Sequence, residues 1–323
     1  MTQMSSRSEM IEFGCVLPQE SAKYSIVKKI ALECERLHFD SIWLYDHVFP
    51  FWRKPEEPIL ECWTTLSALA SGTATLKLGT IVLSNTFRYP SILAKMAATL
   101  DVISNGRLEF GIGAGVCEHE HHAYGIPFEK ASIRIERLKE AVHIIKAMWI
   151  DGKCTYKGKY YAVEEAFNNP RPVQKPYPRI WIGGIGKKLL RVVAEVADGC
   201  NFWGLNPTEF KRRSSILEEH CRSIGRSPRE IEKSWGGEIL IGDNKEEIER
   251  KIRSFKPKEL TIDQYIASSI VGSPDQCIKQ INRYVKAGST YFMLYFPDAT
   301  KNRCLQLFSE HVIAEFKHSR SQE

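Results

Sequence analysis

Eight stretches of this sequence share one pattern, in which a short apolar segment precedes a segment with apolar residues at helical spacing. The apolar segments read, in chain order, IEFGCVLP, SIWLYDH, LKLGTIVLS, RLEFGIGAG, RIWIGG, GCNFWG, SWGGEILIG and TYFMLYFP. Strands that are apolar throughout and alternate with amphipathic helices are typical of a parallel sheet covered on both faces. Eight such units favour a closed (β/α)8 TIM barrel over an open doubly wound sheet.

The length of 323 residues is ordinary for one such barrel. We therefore predict a single domain over residues 11–318, with a flexible tail at 1–10 and a second tail at 319–323. The segment CTYKGKYYAVEEA interrupts the alternation and predicts a hairpin inserted into the barrel, with Gly158 at its turn.

Charge and cysteine usage narrow the function classes. The net charge of +6 comes from basic residues spread among acids, whereas nucleic-acid binding usually needs a clustered basic patch. No stretch offers about 18 uninterrupted apolar residues, and the first residues lack the apolar run of a signal peptide. The nine cysteines are scattered without a C-x-x-C pair, which suits reduced thiols. We expect a cytoplasmic protein that binds neither nucleic acid nor membrane.

The stretch GIGAGVCEHEHHAYGIPF, residues 111–128, places glycines directly before five histidines and carboxylates. Imidazole and carboxylate groups are common metal ligands, but consecutive residues point in different directions, and the run fits neither H-x-x-x-H on a helix nor a calcium loop. We expect no metal site. The glycines are spaced G-x-G-x-G, so the dinucleotide fingerprint G-x-G-x-x-G is not met.

In a barrel, the loops at the C-terminal ends of the strands form the site. This rule brings together Asp46-His47, Ile81 to Ser84, Gly113 to Glu118, Gly183-Gly184, Trp203-Gly204 and Asp298. Glycines in a strand mark close approach by a ligand or another chain segment. Alternatively, Gly111, Gly113 and Gly115 make room for a large side chain of a neighbouring strand.

The sequence resembles the bacterial luciferase-like flavin and deazaflavin oxidoreductases over nearly its whole length. The resemblance rests on FDSIWLYDHVFP, LKLGTIVLSNTFRYPSILAKMAATLDVISNGRLEFGIGAG, EHHAYGIPF, IERLKEAVHIIKAMW, NNPRPVQKPYPRIWIGG and AGSTYFMLYFP, in this order. Within that superfamily it is most similar to the branch that uses coenzyme F420. The resemblance implies a TIM barrel with the cofactor ring in its mouth, a homodimer formed by barrel helices, and hydride transfer to or from a small organic substrate.

The resemblance also implies roles for individual residues. His47, beside Asp46, is expected to lie at the reactive ring as proton donor or substrate orienter, since histidine titrates near neutral pH. A non-prolyl cis peptide is expected between Ile81 and Val82. The other implied cofactor contacts are Ser84, Ala114 and Gly115 at the ring side, and Gly183, Gly184, Gly186 and Lys187 at the phosphate, where a helix begins.

One departure from the family concerns the substrate. Sugar-phosphate dehydrogenases of the superfamily have an acid directly after the glycine that matches Gly115, whereas this chain has Val116. Glucose 6-phosphate is therefore a doubtful substrate. Glu118 is the candidate catalytic acid in its place, with Glu120 as an alternative.

Phe51 or Trp52 resembles the aromatic residue that covers the substrate. The loop at 49–60 and the segment at 254–265 are expected to be irregular and to recognise the substrate. Two rival functions remain open. One is an FMN-dependent monooxygenase that activates oxygen, and the other is a barrel that binds the cofactor without catalysis.

Overall fold

The computed structural model describes residues 10–51, 54–301 and 303–318. Eight parallel strands form its central sheet: β1 Glu12–Val16, β2 Ser41–Leu44, β3 Lys77–Thr80, β4 Leu108–Gly113, β5 Ile180–Gly183, β6 Gly199–Trp203, β7 Glu232–Ile241 and β8 Tyr291–Tyr295. Strand β8 pairs with β1 and with β7, and the remaining strands pair in chain order, so the sheet closes. The predicted (β/α)8 TIM barrel is confirmed.

The α-helices of the described residues surround the barrel. They are α1 Tyr24–Arg36, α2 Cys62–Gly72, α3 Pro90–Ile103, α4 Glu118–Ala123, α5 Ala131–Asp151, α6 Lys187–Val196, α7 Pro207–Ser223, α8 Lys245–Phe255, α9 Ile262–Ser268, α10 Pro274–Lys286, α11 Arg303–Leu307 and α12 Ala314–His318. Short 3₁₀ segments lie at Pro228–Glu230 and Ala299–Lys301, and a π-helical segment at Phe308–Ile313. None of the described helices is long and apolar enough to cross a membrane.

Four further strands of the described residues lie outside the ring. The predicted hairpin is present as Lys153–Lys157 paired with Ala162–Phe167, and the Gly158 amide at its turn donates to the Tyr161 carbonyl. Ile270–Gly272 extends the sheet beyond the end of β7. Leu83–Ser84 pairs with the end of β4. LKLGTIVLS is therefore two strands rather than one, separated by the predicted cis peptide between Ile81 and Val82.

The segment at 254–265 is only partly irregular. Helix α8 runs to Phe255, and α9 begins at Ile262, directly after a capping box in which Thr261 and Gln264 exchange hydrogen bonds with each other's main chain. The T-x-x-Q spacing is a known helix-start signal that could have predicted α9.

Aromatic side chains fill the lower part of the barrel. Trp43, Trp181 and Tyr291 make edge-to-face contacts with centroid separations of 5.3–6.0 Å, and all three are fully buried. A Cβ at Gly79 would lie 2.1 Å from the Trp43 ring, so that glycine makes room for the indole. Because these rings fill the barrel interior at this end, we expect a ligand at the opposite end, where the strands end; we call that end the mouth.

Candidate active site

The mouth collects polar side chains from the loops after β2, β3 and β4. Asp46 and His47 follow β2, Ser84 follows the cis peptide, and Glu120 lies on α4. Asp46 and Glu120 are both buried, so each carboxylate requires partners inside the protein. The structure supplies a different cation for each.

Asp46 is held by Arg88. The guanidinium donates to both carboxylate oxygens at 2.6 and 3.0 Å, and the Ser84 amide donates at 2.9 Å. Arg88 also reaches Glu61 at 2.6 Å. Burial would lower the pKa of Arg88, but Asp46 outweighs that effect and raises it. The Asp46 carboxylate thus fastens the end of β2 to the start of α3, and sequence reasoning missed Arg88 because nothing local links it to Asp46.

His47 is paired with Glu120. Its Nδ1 lies 3.0 and 3.1 Å from the two carboxylate oxygens, and the amides of Val48 and Phe49 donate to the same carboxylate at 3.1 Å. A carboxylate can only accept, so Nδ1 carries the proton and Nε2 is left for another partner. The side chain of His47 is 20% exposed, while that of Glu120 is 3% exposed.

Pairing shifts the pKa values of both His47 and Glu120. Burial alone would lower the pKa of His47, but hydrogen bonds to Cys117 and Glu120 outweigh it and raise the pKa to about 10. Burial alone would raise the pKa of Glu120, but His47 and the amides of Phe49 and Val48 lower it. Both shifts favour an imidazolium–carboxylate pair at neutral pH.

Glu118 occupies a different position from the one expected of the catalytic acid. Its side chain is 64% exposed, and its ion pair is with His122, one helical turn further on, at 3.9 Å. Residues 118–122 form the first turns of α4, so consecutive side chains face different ways: Glu120 and His121 are buried, while Glu118, His119 and His122 are exposed. The stretch was expected to be a loop, and the short helix was not predicted.

A chain of hydrogen bonds runs behind the pair. Ser84 Oγ lies 2.7 Å from Thr86 Oγ1, which lies 2.6 Å from Nε2 of His121. His121 Nδ1 lies 2.6 Å from the Cys117 carbonyl oxygen. Ser84 and His121 therefore help to fix the loop after β4, and Thr86 was not singled out from the sequence.

The glycines of β4 and β5 make room for another part of the chain. A Cβ at Gly111 would lie 1.8 Å from the Thr80 carbonyl oxygen, and one at Gly113 would lie 2.7 Å from the Val82 side chain. Gly183 faces Val82 as well, at 3.2 Å. Gly111 and Gly113 therefore make room for the neighbouring strand β3 and the bulge that follows it.

The segment from Gly183 to Gly186 leads directly into α6. Gly184 has φ of +138°, a conformation that L side chains rarely adopt, and Gly186 is the N-cap. A Cβ at Gly186 would meet no atom within 4 Å, and Lys187 at the first turn is exposed. The first amides of a helix lack intrahelical acceptors, so this segment can bind an anion.

The remaining candidates lie near the surface. Phe51 is 54% exposed, and its ring centroid is 5.1 Å from that of His47. Val116 is 72% exposed, and Ala114 and Gly115 are half-buried beside it. Trp52, the alternative to Phe51, lies outside the described residues, as do most of the two predicted tails.

Comparison with known proteins decides the family. The sequence profile of the luciferase-like monooxygenase family matches residues 10–259, more than three quarters of the chain. The chain belongs to this family. The resemblance inferred from the sequence motifs is therefore confirmed.

Several proteins are similar to this family member over their whole length. The F420-dependent glucose-6-phosphate dehydrogenase of Microbacterium testaceum (strain StLB037) is 28% identical, and the match covers 95% of this chain and 98% of that protein. An F420-dependent secondary alcohol dehydrogenase, solved with an F420–acetone adduct, superposes with a TM-score of 0.83 at 23% identity, covering 94% of this chain and 99% of that one.

A third similar protein is the EDTA monooxygenase of Chelativorans sp. BNC1, which superposes with a TM-score of 0.81 at 15% identity and covers 97% of this chain and 94% of that one. At these identities the two solved structures establish the shared fold.

Proposed function

We propose that this family member is a coenzyme F420-dependent oxidoreductase that moves a hydride between the deazaflavin and a small organic substrate. The observation that carries the proposal is the His47–Glu120 pair, which places a titratable imidazole at the same mouth as the helix N-terminus after Gly186. The similarity to F420-dependent dehydrogenases over nearly the whole chain supports the cofactor.

The residues at the mouth fit this cofactor. A Cβ at Gly186 would meet no atom within 4 Å, so the space before the free amides at the start of α6 is open, and those amides suit a phosphate. Lys187 adds positive charge there. Gly183 and Gly184 would border the cofactor's phosphate side, whereas Ile81 and Val82 would form the floor beneath its ring.

Ser84 pairs with the end of β4, directly before Ala114 and Gly115, and these three residues would border the ring and its polyol chain. Asp46 contributes indirectly, because its carboxylate is engaged by Arg88 and by the Ser84 amide. We propose that Asp46 fixes the position of Ser84.

F420, when bound, supplies a carbon centre that accepts or gives a hydride. The side chains of this protein position the substrate and exchange a proton with it. Glu120 accepts from Nδ1 of His47 and so fixes both the tautomer and the ring orientation. Nε2 is then the atom that gives a proton to a substrate oxygen or nitrogen, or takes one back in the reverse direction. Glu120, and not the exposed Glu118, supports that role.

The substrate side consists of Phe51, next to His47, and of Val116. A valine in place of an acid removes a hydrogen-bond acceptor and adds an apolar surface. We propose an organic acceptor with an activated C=C or C=N bond rather than glucose 6-phosphate.

Titration of the purified protein with F420 and, separately, with FMN tests the proposal. We expect saturable binding of F420 at one site per chain and weaker binding of FMN. Binding of FMN alone, with oxygen uptake dependent on reduced FMN, would contradict the proposal and indicate a monooxygenase. Tight F420 binding without hydride transfer to or from any compound in a panel of alcohols, enones and imines would indicate a carrier protein.

We further propose a cytoplasmic homodimer. Ile92 and Ile103 are 60% and 51% exposed and lie eleven residues apart on α3, which puts them on the same helix face. Exposed apolar residues on one face are typical of an interface. Light scattering after size-exclusion chromatography tests the dimer, and a charged residue at Ile92 should dissociate it.

A further inference from the structure

Cys117, His47 and Glu120 form a compact cluster at the mouth. One ligand-type atom from each, the thiol sulfur, a ring nitrogen and a carboxylate oxygen, lie within 4.8 Å of one another. From this geometry we propose that the three residues form a binding site for Zn²⁺. The proposal reverses the sequence-based expectation of no metal site.

The spacing of the donors is close to what zinc requires. Zn–N and Zn–O bonds of about 2.0–2.1 Å and a Zn–S bond of about 2.3 Å put tetrahedral ligand atoms about 3.3–3.6 Å apart. The cluster therefore needs to contract by about 1.3 Å at its widest pair, a distance that side-chain rotation can provide. Thiolate and imidazole also favour zinc over magnesium or calcium.

The backbone brings the donors together from two elements. Cys117 directly precedes α4 and Glu120 is its third residue, so the C-x-x-E spacing turns both toward the loop after β2, where His47 lies. Three protein ligands with a free fourth position are typical of reactive zinc sites rather than closed structural ones.

Surrounding groups hold these ligands in place. The amides of Val48 and Phe49 donate to the Glu120 carboxylate, and His121 contacts the Cys117 carbonyl oxygen. Partners of this kind orient ligands and raise affinity in known metal sites. These contacts fix the Glu120 carboxylate and the Cys117 main chain, so the required contraction falls mainly on the Cys117 side chain.

An ion can reach the cluster. Of the nine cysteines, all within the described residues, Cys117 is the least buried, although it lies deeper than His47 in the cluster. His47 is partly exposed. Zinc would displace to solvent the proton that Nδ1 of His47 shares with Glu120 and the thiol proton of Cys117. It would then occupy that nitrogen and the supporting carboxylate, so zinc would inhibit the proton transfer proposed above. Only this inhibition rests on the proposed function; binding does not.

Binding is tested on the full chain without cofactor. After treatment with EDTA and dialysis, the protein is titrated with Zn²⁺ against a chromogenic chelator. We expect one tight site per chain, and an affinity loss of at least about hundredfold in Cys117→Ser. His122→Ala, which removes an exposed imidazole of the same helix, is the matched control and should bind as the wild type does.

Two further readouts keep the proposal testable if a variant folds poorly. In the wild-type protein, Zn²⁺ should slow alkylation of Cys117 by iodoacetamide at least tenfold, and Co²⁺ should give a thiolate-to-metal absorption band. Wild-type protein that binds no zinc, or zinc binding that persists in Cys117→Ser and is lost in His122→Ala, would overturn the site. If zinc binds as expected but leaves F420-dependent turnover unchanged, the site stands and the catalytic role of His47 is wrong.

Discussion

Two buried carboxylates at the mouth, Asp46 and Glu120, are paired with cations of different kinds. Asp46 is held by a guanidinium, which stays charged at every accessible pH, and its pair joins β2 to α3. Glu120 is held by an imidazole that can release its proton. The two pairs therefore differ in role: the Asp46–Arg88 pair fixes the scaffold, and the His47–Glu120 pair can hold and release a proton.

The largest expected effect is on turnover. His47→Gln should lower kcat/KM by about 10²–10⁴, the usual contribution of a positioned proton donor. Steady-state kinetics with F420 and a substrate found in the panel above measures the loss. Unchanged turnover would remove the distinction between the two pairs.

The Asp46–Arg88 pair should show its main effect on stability. Arg88→Met leaves the buried Asp46 carboxylate without its main partner, so we expect the free energy of unfolding to fall by about 3 kcal/mol. Urea denaturation measures it. Asp46→Asn combined with Arg88→Met should recover part of the loss, because the uncompensated charge is then gone. A change in Arg88→Met below about 0.5 kcal/mol would contradict the assignment.

Replacing the other carboxylate should alter the titration of His47. In Glu120→Gln we expect the pKa of His47 to fall from about 10 by about one to three pH units, because the neutral amide no longer stabilises the imidazolium. NMR titration of the EDTA-treated protein measures it. Glu118→Gln is the matched control on the same helix and should leave this pKa unchanged.

The same substitution gives a pH-dependent stability difference. Since the pKa of His47 is raised in the folded protein, its pairing stabilises the fold fully below the ordinary histidine value of about 6.5, and this contribution is lost as pH rises through about 10. Wild type and Glu120→Gln should therefore differ most near pH 6 and converge above pH 10. A difference that grows with pH would have the wrong sign.

The smallest effect is expected at the cofactor's phosphate. Lys187 is exposed, so Lys187→Gln should weaken F420 binding only about two- to fivefold, and less at high salt. Gly186→Glu, which places a negative charge directly before the free amides of α6, should weaken F420 binding far more. Equal effects of the two variants would place the phosphate elsewhere.

The sequence was sufficient for the barrel because each apolar strand and amphipathic helix is a local pattern. Asp46 and His47 could also be predicted, since the end of a strand in a barrel is fixed once the strand is recognised. The residues that pair with them could not be predicted, because Arg88 lies 42 residues from Asp46 along the chain and Glu120 lies 73 residues from His47. A six-residue helix such as α4 is too short for its periodicity to show which of Glu118 and Glu120 faces inward.

The glycines illustrate the same limit. Their spacing indicated close approach by a ligand or another chain segment, and in the folded barrel the Thr80 carbonyl and Val82 fill the space beside Gly111 and Gly113. A ligand and a neighbouring strand place the same demand on a glycine, namely the absence of a Cβ.

A crystal structure of the protein with F420 bound tests the central claim most directly. We predict that the deazaflavin ring lies in the mouth, with the Ile81–Val82 segment on one side and the phosphate at Gly186. Nε2 of His47 should face the carbon of the ring that exchanges the hydride. A ring bound outside the mouth, or an imidazole of His47 turned away from it, would contradict the account.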